Sequence, residues 1–174
     1  MRTEVVGLGV WCDYVTVDEF RQSLADRALA NEHVEPPATG GWMPFPNRFT
    51  TADEIEAEVK NFRRGLHFRV EEFATLSDGR RLVLSTDRGW GGSMSGGRGP
   101  DDMWAYETVE AIERTALNVV LPDDAEETGE DHPWEWLAER IRALGVETTP
   151  EELKRLPYDV ELSQRLRARL TRIS

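Results

Sequence analysis

Apolar and polar positions along the chain fall into a few periodic runs. Residues 3 to 11, TEVVGLGVW, form a valine-rich apolar run that predicts a buried strand. Thr16 then stands three residues before Glu19, a spacing that lets each side chain bond the other's backbone N–H at a helix start. Val17, Phe20, Leu24 and Ala28 follow at intervals of three and four, so a helix is predicted to run to about residue 30. The same start recurs at Thr51 and Glu54, with Ile55, Val59, Phe62 and Leu66 as one apolar stripe ending near Gly65. Between the two helices, residues 31 to 48 are too rich in Pro and Gly for regular structure, and Trp42, Met43 and Phe45 are its expected anchors.

The period then changes. HFRVEEFATL, Ser77-Asp78-Gly79 and RRLVLST read as two strands joined by an Asp-Gly turn, which predicts a β-hairpin over about 66–86. Ala105, Val109, Ile112, Ala116 and Val120 predict a helix over 102–119. Trp134, Leu137, Ile141 and Leu144 mark another, with Pro133 in its first turn and Gly145 at its C-terminal cap. A short helix is expected after Thr149 and Pro150, interrupted by Pro157, and a last one carries Leu162, Leu166, Leu170 and Ile173 on one face. Its Arg165, Arg167, Arg169 and Arg172 are expected to complement the dipole at the helix end. The pattern predicts a single α+β domain over 1–174: a small antiparallel sheet with the hairpin, packed against several helices, and a helical C-terminal half.

Composition adds limits. The chain is long enough for a core without staples, and six tryptophans argue for real packing. The single cysteine, Cys12, favours a reducing compartment, and no signal peptide or long apolar stretch is visible, so a cytoplasmic protein is expected. The 21 basic and 33 acidic residues leave a net charge of −12, which argues against nucleic acid and anionic membrane and favours a basic partner.

Candidate chemistry is thin. Six glycines fall between Gly89 and Gly99, just before an expected helix start, yet this stretch has no lysine for a P-loop. Met94 stands where a dinucleotide fingerprint needs its third glycine, and Asp101 and Asp102 themselves occupy the helix terminus that a phosphate would use. A mobile surface loop anchored or made adhesive by Trp90 is the simpler expectation. His33, His67 and His132 lack metal-ligand spacing. Counting from Asp123, the sixth and twelfth positions are Thr128 and Trp134, which excludes an EF-hand. No nucleophile motif surrounds a serine, and Cys12 has no histidine near it in sequence, so no catalytic residue, metal or cofactor is expected.

The acidic stretch is more distinctive. Asp123, Asp124, Glu126, Glu127, Glu130, Asp131, Glu135 and Glu139 occur with no Lys or Arg among them, and Trp134 and Trp136 sit in the same run. As a solvated loop and an acidic first helical turn it needs no partner. As a docking surface, the first six acids with the off-stripe Trp136, and with Trp90, select a basic protein and supply an aromatic anchor. The alternative is an intracellular small-ligand binder or enzyme that uses the glycine-rich loop 89–99, for which a pocket near Arg88 and Arg98 is the discriminating observation. Oligomeric state is open.

Two segments, DGRRLVLSTDRGW (78–90) and VVLPDDAEETGEDHPWEWLAERIRALGV (119–146), are similar to small acidic actinobacterial proteins, and the chain resembles the immunity proteins of bacterial polymorphic-toxin systems. The resemblance spans about half the chain and implies inhibition by occluding the active cleft of a basic, nuclease-like toxin. It transfers no functional residue, because such families share a role more than a site.

Overall fold

The structure, a computed structural model, describes residues 3–31, 51–93, 100–120 and 134–172. Trp42, Met43 and Phe45, residues 94–99 of the glycine stretch and the acids from Asp123 to Asp131 lie outside the described residues. Four strands, β1 (Val5–Tyr14), β2 (Gly65–Leu76), β3 (Arg81–Ser93) and β4 (Tyr158–Leu162), form one sheet in the order β3-β2-β1-β4. The helices are α1 (Val17–Asn31), α2 (Ala52–Phe62), α3 (Pro100–Trp104), α4 (Val109–Val120), α5 (Trp134–Ala143), α6 (Pro150–Leu153) and α7 (Gln164–Thr171). The class is α+β, as the periodicity predicts. No helix of the described residues is long and apolar enough to cross a membrane.

Local chemistry explains most boundaries. The two expected Thr-x-x-Glu starts close: the N–H of Glu19 donates to Thr16 Oγ1 and the N–H of Thr16 to Glu19 Oε2, with the same reciprocal bonds at Thr51–Glu54, and the Thr149 helix start adds a third such pair with Glu152. Gly79 turns the hairpin with φ 83°.

Three predicted boundaries are corrected. The hairpin's second strand does not stop at 86: β3 runs on through Gly89, Gly91 and Gly92, paired antiparallel with Arg69, His67 and Leu66, so half of the expected loop is strand. The 102–119 helix is two helices, because Tyr106 and Glu107 turn back onto the carbonyls of Met103 and Trp104 and Thr108 Oγ1 then caps Ala111. The sheet is mixed rather than antiparallel: residues 158–162, expected as part of the last helical stretch, pair parallel with β1 from Leu8↔Tyr158 to Cys12↔Leu162.

Helices α3 to α7 cover one face of the sheet. Val10, Cys12, Phe68 and Val70 pack with Trp104, Ile112, Ala116, Leu162 and Leu166, while Leu8, Ala74, Leu76 and Leu84 pack with Leu137, Ile141 and Leu153. Each fully buried leucine contributes about 1.5–3 kcal/mol. The other face carries residues of opposite parity, among them Asp13, His67, Arg69 and Phe73. Here α1 and α2 meet β2 through a stack of Phe20, Phe62 and His67, with ring centroids 4.0 Å apart at both steps. Arg81 lies 3.6 Å over the Phe73 ring and reaches Glu161 at 2.6 Å, strapping one edge strand to the other.

Candidate functional site

Helix α5 buries Leu137, Ala138 and Ile141 against the sheet. A helical turn of 3.6 residues therefore turns Trp136 and Arg140 outward. Trp136 is 42% exposed and Trp134 packs against the core, as their places on and off the apolar stripe predict. Glu135 and Glu139 are exposed on the same helix, and Glu135 lies 3.5 Å from Arg142.

Beside Trp136, the edge strand β3 is irregular. Val70 pairs with Arg88 and Glu72 with Ser85, so Glu71 faces two residues rather than one. This bulge and α5 enclose a concavity of about 520 Å³ lined by Val83, Ser85, Thr86, Arg88, Trp136 and Arg140. Val83 is 41% exposed, so the surface offers an aromatic and an aliphatic side chain together. Arg88 donates to the carbonyls of Val119 and Val120, at 3.3 and 3.4 Å, placing a cation at the C-terminus of α4 where the acidic stretch begins.

Trp90 is the anchor rather than a free ring. It pairs across the ladder with Phe68 and stacks on it at 4.7 Å, half-buried against the core. The other proposed docking residues, Asp123, Asp124, Glu126, Glu127, Glu130 and Asp131, are outside the described residues. Asp101 and Asp102 do lie in the first turn of α3, and Asp101 accepts from Arg169 at 2.7 Å.

The most elaborate polar cluster joins Asp13, Glu19, Arg69, Ser163 and Arg165. Asp13, 2% exposed, accepts from Ser163 Oγ at 2.6 Å and Arg165 Nε at 2.7 Å. Arg165 Nη2 also donates to Glu19 at 2.9 Å and to the Tyr14 carbonyl at 2.7 Å, and Arg69 reaches both carboxylates at 3.4 and 3.3 Å. Burial alone would raise the Glu19 carboxyl, but hydrogen bonds from Arg165 and Thr16 outweigh it and hold it down at about 2. The expectation that Arg165 serves the helix end is corrected: α7 begins at Gln164, so Arg165 sits at its start and ties α7 to β1 and α1. Two arginines thus engage both carboxylates, an arrangement that suits a clamp.

Two further buried groups hold their protons near neutral pH. Burial, with Asp13 beside it, pushes the Cys12 thiol up to about 12, so it remains protonated and inert. Tyr158 donates to the buried Glu72 carboxylate at 2.7 Å, linking β4 to β2 across β1, and burial drives its hydroxyl far above the usual phenol range. Among the described residues no three His, Cys, Asp or Glu side chains are grouped to hold a metal ion.

The fold thus defines a mixed-sheet α+β domain with an aromatic-edged groove on one side and a salt-bridge clamp at one end of the sheet. No family model, curated protein or solved structure matches the chain.

Proposed function

We propose that the chain is an acidic protein-binding module of the cytoplasm, an immunity-type inhibitor that blocks the cationic active cleft of a nuclease-like toxin. The observation that carries this reading is the exposed Trp136 on the outer face of α5, beside Val83 and flanked by Glu135 and Glu139. Large exposed aromatics with an aliphatic neighbour are what interfaces use as anchors. The preceding stretch, with six acids between Asp123 and Asp131, supplies a field that draws in a basic surface.

Co-purification from the native host, with mass spectrometry of bound proteins and small molecules, tests the reading. A basic protein whose toxicity is relieved by co-expression of this chain supports it. A nucleotide or metabolite recovered in stoichiometric amount without any protein partner overturns it.

A further inference from the structure

The Trp136 groove carries a local charge opposite to that of the chain. In a protein with 33 acidic and 21 basic residues, its walls hold Arg88 and Arg140, the hydroxyls of Ser85 and Thr86, and no carboxylate among the described residues. Glu135 and Glu139 stand on the same helix but do not line the groove, and Glu135 already faces Arg142.

Both guanidinium groups have free donors. Arg140 is exposed and makes no hydrogen bond or ion pair among the described residues. Arg88 is half-buried and uses only Nη1, on the carbonyls of Val119 and Val120. Its Nε and Nη2 make no hydrogen bond among the described residues, and neither is a buried, unsatisfied atom, so both reach solvent. In a planar guanidinium these two N–H groups point the same way and form the fork that meets a carboxylate side-on. Arg165 brings the same pair of nitrogens to Asp13, at 2.7 and 2.6 Å. The bonds to the end of α4 fix the Arg88 guanidinium before anything binds, which lowers the entropy cost of using it. The Trp136 ring likewise makes no stacking or cation contact among the described residues, so with Val83 it leaves an open apolar wall beside the cations.

We propose that the groove is a carboxylate-recognition site, in which the Arg88 fork, with Arg140 in the same groove, takes an Asp or Glu side chain that the protein partner presents next to an apolar residue seated on Trp136 and Val83. The inference rests on the protein-binding reading for the source of the acid, and it adds a second sign to that reading. At long range the net −12 draws in basic surfaces and holds acids off. At contact the groove rejects Lys or Arg and accepts a carboxylate. A partner must therefore be basic overall and acidic at one point, a stricter requirement than either charge alone.

The free chain tests the chemistry without a partner, by ¹H–¹⁵N NMR titration with 3-phenylpropionate, its neutral carboxamide and the cationic 3-phenylpropylamine. 3-Phenylpropionate should shift the Arg88 Nε–H and Trp136 indole N–H signals and bind roughly tenfold tighter than the carboxamide, with the amine weakest at this groove despite the chain's negative charge. Arg88→Gln should abolish that preference. Arg88→Lys, which keeps the charge and loses the fork, and Arg140→Gln, at an exposed side chain, should each reduce it. Failure of 3-phenylpropionate to bind at millimolar concentration, equal binding of acid and carboxamide, shifts confined to the Arg69–Arg165 clamp, or a preference that survives Arg88→Gln overturns the proposal. If Arg88→Gln fails to fold, the other two variants decide, and an unchanged preference in both overturns it. The source of the acid is tested on a recovered partner by double-mutant cycles between Arg88→Lys and Asp-to-Asn or Glu-to-Gln changes on its contact surface. Coupling of about threefold or more to one acid supports a partner-borne carboxylate. Strict additivity for every acid, or recovery of no protein partner while the probe preference holds, overturns that source. Failure of co-purification thus strikes the protein-binding reading, and failure of the probe series strikes the groove chemistry.

Discussion

Removing the guanidinium of Arg165 leaves the buried Asp13 with the Ser163 hydroxyl, the Tyr14 N–H and a long contact to Arg69. A buried carboxylate stripped of its main counter-ion is costly, so Arg165→Leu should lower unfolding free energy by about 2–4 kcal/mol. Arg167, two residues on, lies 3.7 Å from Glu113 in a more exposed pair, and Arg167→Leu should cost less than ~1 kcal/mol. Urea denaturation of the two variants compares them directly. The clamp also sets a pH response. Glu19 ionises at about 2 in the fold, against 4.5 for a free glutamate, so its contribution is complete above the unfolded value and disappears as pH falls through the folded one. Stability should therefore drop between about pH 4.5 and 2, and Glu19→Gln should flatten that part of the profile measured by thermal unfolding.

Neighbouring residues of α5 separate packing from recognition. Leu137 is fully buried, and Leu137→Ala should cost about 2–5 kcal/mol. Trp136→Ala should leave thermal stability within about 0.5 kcal/mol of the parent yet weaken a recovered protein partner by tenfold or more in calorimetric titration. This division was largely legible in advance, because a 3.6-residue period assigns Trp134, Leu137 and Ile141 to one side and Trp136 to the other; Leu144, expected on the same stripe, lies beyond the end of α5 at Ala143 and is 47% exposed. The Thr-x-x-Glu starts and the Asp-Gly turn were legible for the same reason: their bonds span three or four residues. β4 was not. Tyr158 to Leu162 is only five residues long, its Leu162 also fits the helical spacing with Leu166 and Leu170, and its partner Cys12 is remote in sequence. The strand character of Gly89 to Gly92 was hidden for a related reason, since glycine is poor in strands and only pairing with β2 and the approach of His67 account for it here. Asp13 and Arg165 gave no local signal, and nothing in a charged residue's neighbours says which distant charge it will meet.

For the molecule as a whole, charge governs approach rather than architecture. A net −12 concentrated in part between Asp123 and Asp131 should accelerate association with a basic partner and make it strongly dependent on salt. Changing Asp123, Asp124, Glu126 and Glu127 together to Asn or Gln should slow the association rate about tenfold or more at low ionic strength and flatten its salt dependence in stopped-flow measurements. An unchanged rate and salt slope would reduce the stretch to a solvated loop.

The parallel pairing of β4 with β1 has a consequence for synthesis on the ribosome. Ser163 and Asp13 bond to each other across 150 residues of chain. Translation delivers β1, β2 and β3 early, and one edge of β1 then stays bare, a template for pairing with other chains, until β4 emerges. Contacts this distant also slow the closing step. Ribosome-bound chains stalled with residue 150 outside the exit tunnel should be protease-sensitive and engaged by chaperones, and protection should appear only once residue 172 has cleared it. Early protection would mean that the three-strand meander folds without its fourth strand.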